Sequence, residues 1–261
     1  MKNIIKKILK FFGQKQGSFL YDIFSKYNII FKATYNKSFI LSLILFYKLI
    51  LSEILLRNLQ KRFYQDSLKD SYIKNCVFDY DDWFSGNIPI WSFFFKKYNL
   101  IEKNLNYLEI GSFEGRSSVF ILKNLKKISC QFVDTFQGSE EHSKINFSKV
   151  FENFKKNVEP FKDQIVINKM NSNEFFKTNR TYFDLIYVDG SHFSENVYKD
   201  AINSFTFLNK NGLIIFDDFI WTYYNQINDN PIGGLIPFLK KSFRKIKILY
   251  VNFQLIIKKI D

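Results

Sequence analysis

The chain has 261 residues, 46% of them hydrophobic, enough for one large α/β domain with an extension and no need of a disulfide or metal staple. Its two cysteines, Cys76 and Cys130, are far apart and follow no metal-ligand spacing, so neither a disulfide framework nor a zinc site is suggested, and a reducing, cytoplasmic setting fits. The net charge of +13 sits at the ends: residues 1–70 carry +9, residues 240–261 carry +6 and residues 71–239 carry −2, so the centre lacks the basic groove expected of a nucleic-acid binder.

The opening "MKNIIKKILKFF" places Ile4, Ile5, Ile8, Leu9 and Phe12 at helical spacing, with Lys2, Lys6, Lys7 and Lys10 on the other side. A basic amphipathic helix over residues 1–12 is expected, lying on an anionic membrane surface or docked on the protein's own body. It lacks the continuous apolar core and small-residue cleavage site of a signal peptide. Residues 38–56 are apolar, but Lys48 and Glu53 interrupt them and leave an uncharged run of ten residues, short for a bilayer span. Residues 1–78 are read as a basic helical extension and residues 79–261 as the working domain.

From about residue 100 the pattern alternates. Strand-like runs at 105–110, 128–133, 165–169, 183–188 and 212–216 are separated by helical stretches near 115–126, 142–157, 172–178 and 194–208. That alternation predicts a doubly wound, mostly parallel sheet covered on both faces. Ser139 before two glutamates and Asn171 three residues before Glu174 read as helix starts. "KIKILYVNFQLIIKK" reads as two strands around a Val-Asn turn, so the sheet is expected to end in an antiparallel hairpin.

The residues that follow the predicted strands are polar in every case. They are Gly111, Ser112, Glu114 and Gly115; then Asp134; then Asn171 and Ser172; then Asp189 and His192; then Asp217 and Asp218. In an open α/β sheet these converge on the carboxyl edge, where ligands bind. Gly111 permits a sharp turn out of the first strand, and Asp134, at the end of the second, is placed to accept both hydroxyls of a ribose. The loop is one glycine short of a dinucleotide fingerprint, and only Arg116 offers a pyrophosphate contact. A nucleoside cofactor without phosphates fits best.

In this order and spacing, "LEIGSFEGRSS", "FVDTF", "FDLIYVDGSH" and "GLIIFDDF" resemble the class I S-adenosylmethionine-dependent methyltransferases, within them the catechol and macrocin type O-methyltransferases and methyltransferase family 24. The likeness covers residues 80–258, with "DDWFSGNIPIW" similar to the segment preceding the domain. It implies a Rossmann-like methyltransferase fold, with Glu109, Gly111, Ser112 and Gly115 around the methionine part of S-adenosylmethionine, Asp134 on its ribose, and Asn171 and Ser172 near the adenine. It also implies a magnesium ion held by Asp189, Asp217 and Asp218, oxygen ligands that suit a hard cation. The alternative for "FDDF" is a capped loop without a metal.

Methyl transfer to oxygen needs an acceptor hydroxyl in line with the methyl group and deprotonated by a metal or a base. His192 stands where the catechol-type enzymes carry a catalytic lysine, and is expected to act as base with Asp189 beside it, or else only to cap the next helix or stack near the adenine. His142 reads as a first-turn helix residue, with facing the acceptor as the alternative. Trp83 and Phe84 are candidates for a lid, and Trp221, Tyr223 and Tyr224 for a substrate wall, although in a chain that is 19% aromatic the default for each is packing.

The sequence therefore predicts methylation of a small-molecule hydroxyl, of a sugar or secondary metabolite, with the extension supplying part of the acceptor pocket, a homodimer contact or a peripheral membrane contact. The alternatives are another carbohydrate-modifying chemistry on the same fold, a membrane-surface or scaffold protein that has lost catalysis, and a macromolecular acceptor. A nucleic-acid substrate is not expected, since no Asn-Pro-Pro-Tyr or Asp-Pro-Pro-Tyr base-reading motif is present.

Overall fold

The structure, a computed structural model, describes residues 18–63, 72–138, 142 and 144–261. The helix expected over residues 1–12 and the helix start expected at Ser139 lie outside the described residues.

Two helices, α1 (Phe19–Thr34) and α2 (Phe39–Phe63), precede a 3-10 turn at Ser85–Asn87 and helix α3 (Ile88–Lys97). There follow β1 (Leu105–Ile110), α4 (Arg116–Asn124), β2 (Ile128–Asp134), α5 (Phe147–Val158), β3 (Ile165–Lys169), α6 (Ser172–Thr178), β4 (Phe183–Val188), α7 (Ser194–Thr206) and β5 (Leu208–Phe216). Helix α8 (Pro231–Ser242) leads into the hairpin of β6 (Ile246–Val251) and β7 (Leu255–Lys259). The expected start at Asn171 carries a real cap, its side chain accepting the Glu174 N–H, and Asn146 caps α5 in the same way through the Lys149 N–H.

The seven strands run in the order β3-β2-β1-β4-β5-β7-β6. All neighbours are parallel except β7, which is antiparallel to both β5 and β6. Val133, Ile110, Val188 and Phe216 stand in one row across β2, β1, β4 and β5, so the loops that follow these strands leave from one level edge. Strand order reverses between β1 and β4, which opens a crevice there.

Residue alternation explains the two cores. Leu108, Ile110, Ile186 and Val188 face α6, α7 and α8, while Tyr107, Phe132, Leu185 and Tyr187 face α3, α4 and α5. Strand β5 begins four residues before the predicted run, because Leu208 pairs with Phe183 across a register shift. Helix α8 was not legible as a helix. Its Gly233, Gly234 and Pro237 read as breakers, but Pro231 opens it at a position that needs no N–H, and nine of its twelve residues are buried.

Helix α2 runs unbroken through Lys48 and Glu53, so Phe39–Lys61 is long and apolar enough to cross a membrane by length and composition. The charges do not end it because Glu53 faces inward. Buried, it accepts from Lys26 Nζ at 2.7 Å, Arg57 Nε at 2.9 Å and Asn252 Nδ2 at 2.9 Å, while Ser52 Oγ accepts the Val251 N–H. These bonds tie α1 and α2 to the β6–β7 turn. Burial works against the Glu53 charge, but the bonds from Lys26, Arg57 and Asn252 hold its carboxyl below the usual range.

That arrangement sets a sign. A depressed carboxyl stabilises the fold above the unfolded-state pKa and loses that contribution as pH falls through the folded value. Glu53→Gln is expected to cost about 2 kcal/mol at pH 7 in urea unfolding, by leaving buried charge partners unmatched, and the gap to wild type should shrink on acidification.

Candidate active site

The site begins where β1 ends. Gly111 has φ of +83°, and a Cβ there would lie 1.9 Å from the Asp189 carbonyl oxygen, so the turn passes directly against the end of β4. Asp134 braces this turn: its Oδ2 accepts the N–H groups of Ser112 at 2.7 Å and Phe113 at 3.0 Å, and its Oδ1 accepts the Phe136 N–H at 2.7 Å. Oδ1 keeps a free lone pair for a further donor. Glu114 turns away from the sheet and accepts the Asp79 and Tyr80 N–H groups and Asn153 Nδ2, holding residues 79–80 over the loop.

A cavity of 1380 Å³ opens at this edge and draws on every strand end from β1 to β5. Gly111, Ser112, Asp134, Asn171 and Ser172 line it, as do Asp189, His192, Asp217, Asp218, Trp221 and Tyr223. Among the described residues Ser112 Oγ is buried with no hydrogen-bond partner, an atom suited to a polar ligand.

Two expected contacts are placed elsewhere. Glu109 does not line the cavity: it is fully buried beneath the loop, where Tyr107, Ser117 and Ser118 donate their hydroxyls to it at 2.7, 2.7 and 2.9 Å. The reason is strand alternation, which turns Glu109 toward α4 along with Tyr107. Gly115 likewise stands behind the lining as the left-handed residue, φ +84°, from which α4 starts. Both shape the loop from below.

The acids after β4 and β5 split into two groups. Asp189, His192 and Asp218 bring ligand atoms within 4.8 Å of one another, with His192 Nε2 at 3.0 Å from Asp218 Oδ2 and 3.8 Å from Asp189 Oδ1. Asp217 stands outside this cluster. Its Oδ2 accepts from Gln254 Nε2 at 2.8 Å and meets the Tyr187 hydroxyl, and its Oδ1 accepts the Asp218 N–H at 2.9 Å. Trp91 Nε1 donates to Gln254 Oε1 at 2.9 Å and fixes which way that amide points.

Proton counting follows from Tyr187. Its hydroxyl lies 2.8 Å from Asp189 Oδ2 and also touches Asp217 Oδ2, yet it has one proton to give. Burial, then the charges of Asp189 and Asp217, push the phenol well above its usual value, so it keeps that proton. Burial and the neighbouring charges of Asp189 and Asp218 raise Asp217 well above the carboxylate range. Burial raises Asp189 as well, against the opposing pull of His192. The Tyr187 hydroxyl thus stands between two buried carboxyls, Asp189 and Asp217, with a single proton to share between them.

Aromatic rings close the sides. Trp83 stacks on His142 at 5.8 Å and packs on Phe113, on the cavity's outer wall, while Phe84 is buried in the core beneath. His142, in a 3-10 turn, is also a wall residue. Trp221 lies 4.9 Å from the His192 ring and stacks parallel on Tyr223. Asp200 was missed altogether. It is buried on α7, lines the cavity and accepts from Ser172 Oγ, and burial raises its carboxyl to about 6. An acid on the same stripe as Val197, Ala201 and Ser204 was its signal.

Residues 108–219 match the family model of the Methyltransferase domain, number 24 of that name. That stretch has the pattern of a methyltransferase domain. An uncharacterised protein, R132, of Acanthamoeba polyphaga mimivirus is 31% identical over 128 residues, covering 46% of this chain and 55% of the viral protein. The chain thus matches about half the length of that relative.

Solved structures share the fold at low identity. A protein assigned as a caffeoyl-CoA O-methyltransferase from Staphylococcus aureus has a TM-score of 0.52 and 15% identity, covering 78% of this chain and 98% of its own. An assigned O-methyltransferase from Klebsiella pneumoniae has a TM-score of 0.52 and 11% identity, covering 81% and 99%. The MycE methyltransferase of mycinamycin biosynthesis, solved with magnesium and S-adenosylhomocysteine, has a TM-score of 0.50 and 14% identity, covering 79% of this chain and 55% of its own.

Beneath the glycine loop, burial raises Glu109 to about 7 despite the hydroxyls of Ser117, Tyr107 and Ser118. A raised carboxyl stabilises the fold below the unfolded pKa and loses that contribution as pH rises through the folded value. Glu109→Gln should therefore unfold at a urea midpoint close to wild type near pH 4.5 and become the more stable protein by pH 8, by on the order of 2 kcal/mol.

Proposed function

We propose that this chain is an S-adenosylmethionine-dependent O-methyltransferase acting on a hydroxyl of a small molecule, with a divalent cation at the β4 and β5 ends. The observation that carries the reading is the convergence of Asp189, His192 and Asp218 in the same cavity as the Asp134-braced glycine loop. At 1380 Å³ the cavity exceeds the usual range for one ligand, about 300–1,000 Å³, and has room for cofactor and acceptor together.

The residues fit the cofactor. The unpartnered Ser112 Oγ and the spare lone pair of Asp134 Oδ1 suit the amino-acid part and a ribose hydroxyl respectively. Asp200, bonded to Ser172, suits an exocyclic amine of adenine. When bound, S-adenosylmethionine supplies an electrophilic methyl group on a sulfonium. Without a bound cation His192 is the group that takes the acceptor's proton, and Asp218, 3.0 Å from its Nε2, stabilises the resulting imidazolium. Trp221 and Tyr223 orient a flat or ring-shaped acceptor, and Trp83 and Phe113 shield the reacting groups from water.

The fit to a cation is narrower than the sequence suggested. Asp189 and Asp218 supply two anionic oxygens and His192 a nitrogen, a donor set that accepts manganese or a similar ion as well as magnesium. Such an ion would lower the pKa of an acceptor hydroxyl. Asp217 is committed to Tyr187, Gln254 and its own following N–H, and supports Asp189 from behind.

Calorimetric titration tests this reading. S-adenosylmethionine should bind at about micromolar Kd and release heat in the wild type, and Asp134→Ala should bind at least about tenfold more weakly while its folding is followed by circular dichroism. His192→Ala should keep cofactor binding and lose formation of S-adenosylhomocysteine with sugar and phenol acceptors, by about 100-fold or more. No binding of S-adenosylmethionine with or without added cation would overturn the proposal.

A further inference from the structure

One face of α2 takes no part in the site. Phe39, Ile40, Leu43, Tyr47, Leu51 and Ile54 recur at helical spacing and are all exposed, Ile40 to 70%. They form a continuous apolar stripe roughly 22 Å long at 1.5 Å per residue, far more than scattered surface apolar residues require. Leu41, Leu45 and Leu49 on the opposite face are buried in the core. The helix is therefore apolar on both sides, only one of which packs into the core of the described residues.

The surroundings of the stripe are basic. Residues 18–63 contain seven Lys and Arg against Asp22 and Glu53, and both acids are already paired, with Arg57 and with Lys26 and Arg57. Lys37 and Lys240 meet where the stripe begins, and Lys240 Nζ donates to the Lys37 carbonyl. Lys48, Lys97 and Lys247 crowd its middle; partial burial and the charges of Lys247 and Lys97 lower the Lys48 ammonium.

We propose that this face seats the protein on an anionic lipid bilayer, with α2 lying in the plane of the surface. Apolar and aromatic side chains flanked by lysines match the interface between acyl chains and anionic headgroups. Charge argues against the other occupants. Residues 1–17 carry five lysines and no acid, and a second copy would bring the same basic rim, so either would set like charge against like. A spanning orientation would require freeing Leu41, Leu45 and Leu49 and breaking the bonds of Ser52 and Glu53 to the β6–β7 turn. Leu56 and Gln60, further along α2, line the cavity, so membrane contact and the site share one helix.

Flotation of the full chain tests this, with vesicles of phosphatidylcholine alone or with equimolar phosphatidylglycerol. The protein should float with the anionic vesicles, more weakly as salt rises, and not with the neutral ones. The double variant Leu43→Glu, Leu51→Glu should melt as wild type does and bind anionic vesicles about tenfold or more weakly. An environment-sensitive dye on Leu43→Cys, in a Cys76→Ser background, should shift to the blue on anionic vesicles and reads the face without the charge changes. Absence of flotation would overturn the proposal. So would flotation that the double variant keeps with no dye shift, which would place the contact elsewhere, or a dimer that the double variant dissociates without any vesicle binding.

Discussion

The ends of β1 and β4 approach so closely that residue 111 has no room for a side chain. This contact at the point of strand reversal forces the left-handed turn at Gly111 and brings the β1 loop level with Asp189. Everything in the site is arranged around it. Asp134 holds the turn from β2, Glu109 supports it from below and Glu114 ties it to residues 79–80. A loop fixed by three carboxylates needs little reorganisation to receive a ligand, which is the form of preorganisation that catalysis rewards.

A second constraint is the distribution of protons under the β4 and β5 ends. One phenol lies between two buried acids with a single proton for both, and burial and neighbouring acids raise both carboxyls. Asp189 and Asp218 are the acids beside His192. A doublet of aspartates that looks symmetrical in the chain thus serves two purposes: Asp217 is built into the sheet's support and Asp218, at φ +54°, turns outward.

The five parallel strands and the final hairpin were legible because each buried run is short, β-rich and bounded by turn residues. The strand-end residues were legible as a group, since topology alone sends them to one edge. What the sequence did not show depends on direction and tertiary partners. Strand alternation turned Glu109 away from the cavity, and Gln254 joins the site only because the hairpin folds back over Trp91. Tyr187 looks like any interior strand residue, and Asp200 like any helix acid. Helix α8 was hidden by glycines and a proline whose cost its burial offsets. In α2, Glu53 read as an interruption because its partners, Lys26 and Asn252, are remote in sequence.

The most direct measurement is a crystal structure of the protein with S-adenosylhomocysteine and manganese, using the anomalous signal of the ion. The account predicts the ribose against Asp134, the sulfur facing His192, and a single anomalous peak between Asp189 and Asp218 with Asp217 still bonded to Tyr187 and Gln254. Ligand bound away from the Gly111 turn, or a peak ligated by Asp217 in place of Asp218, would contradict it.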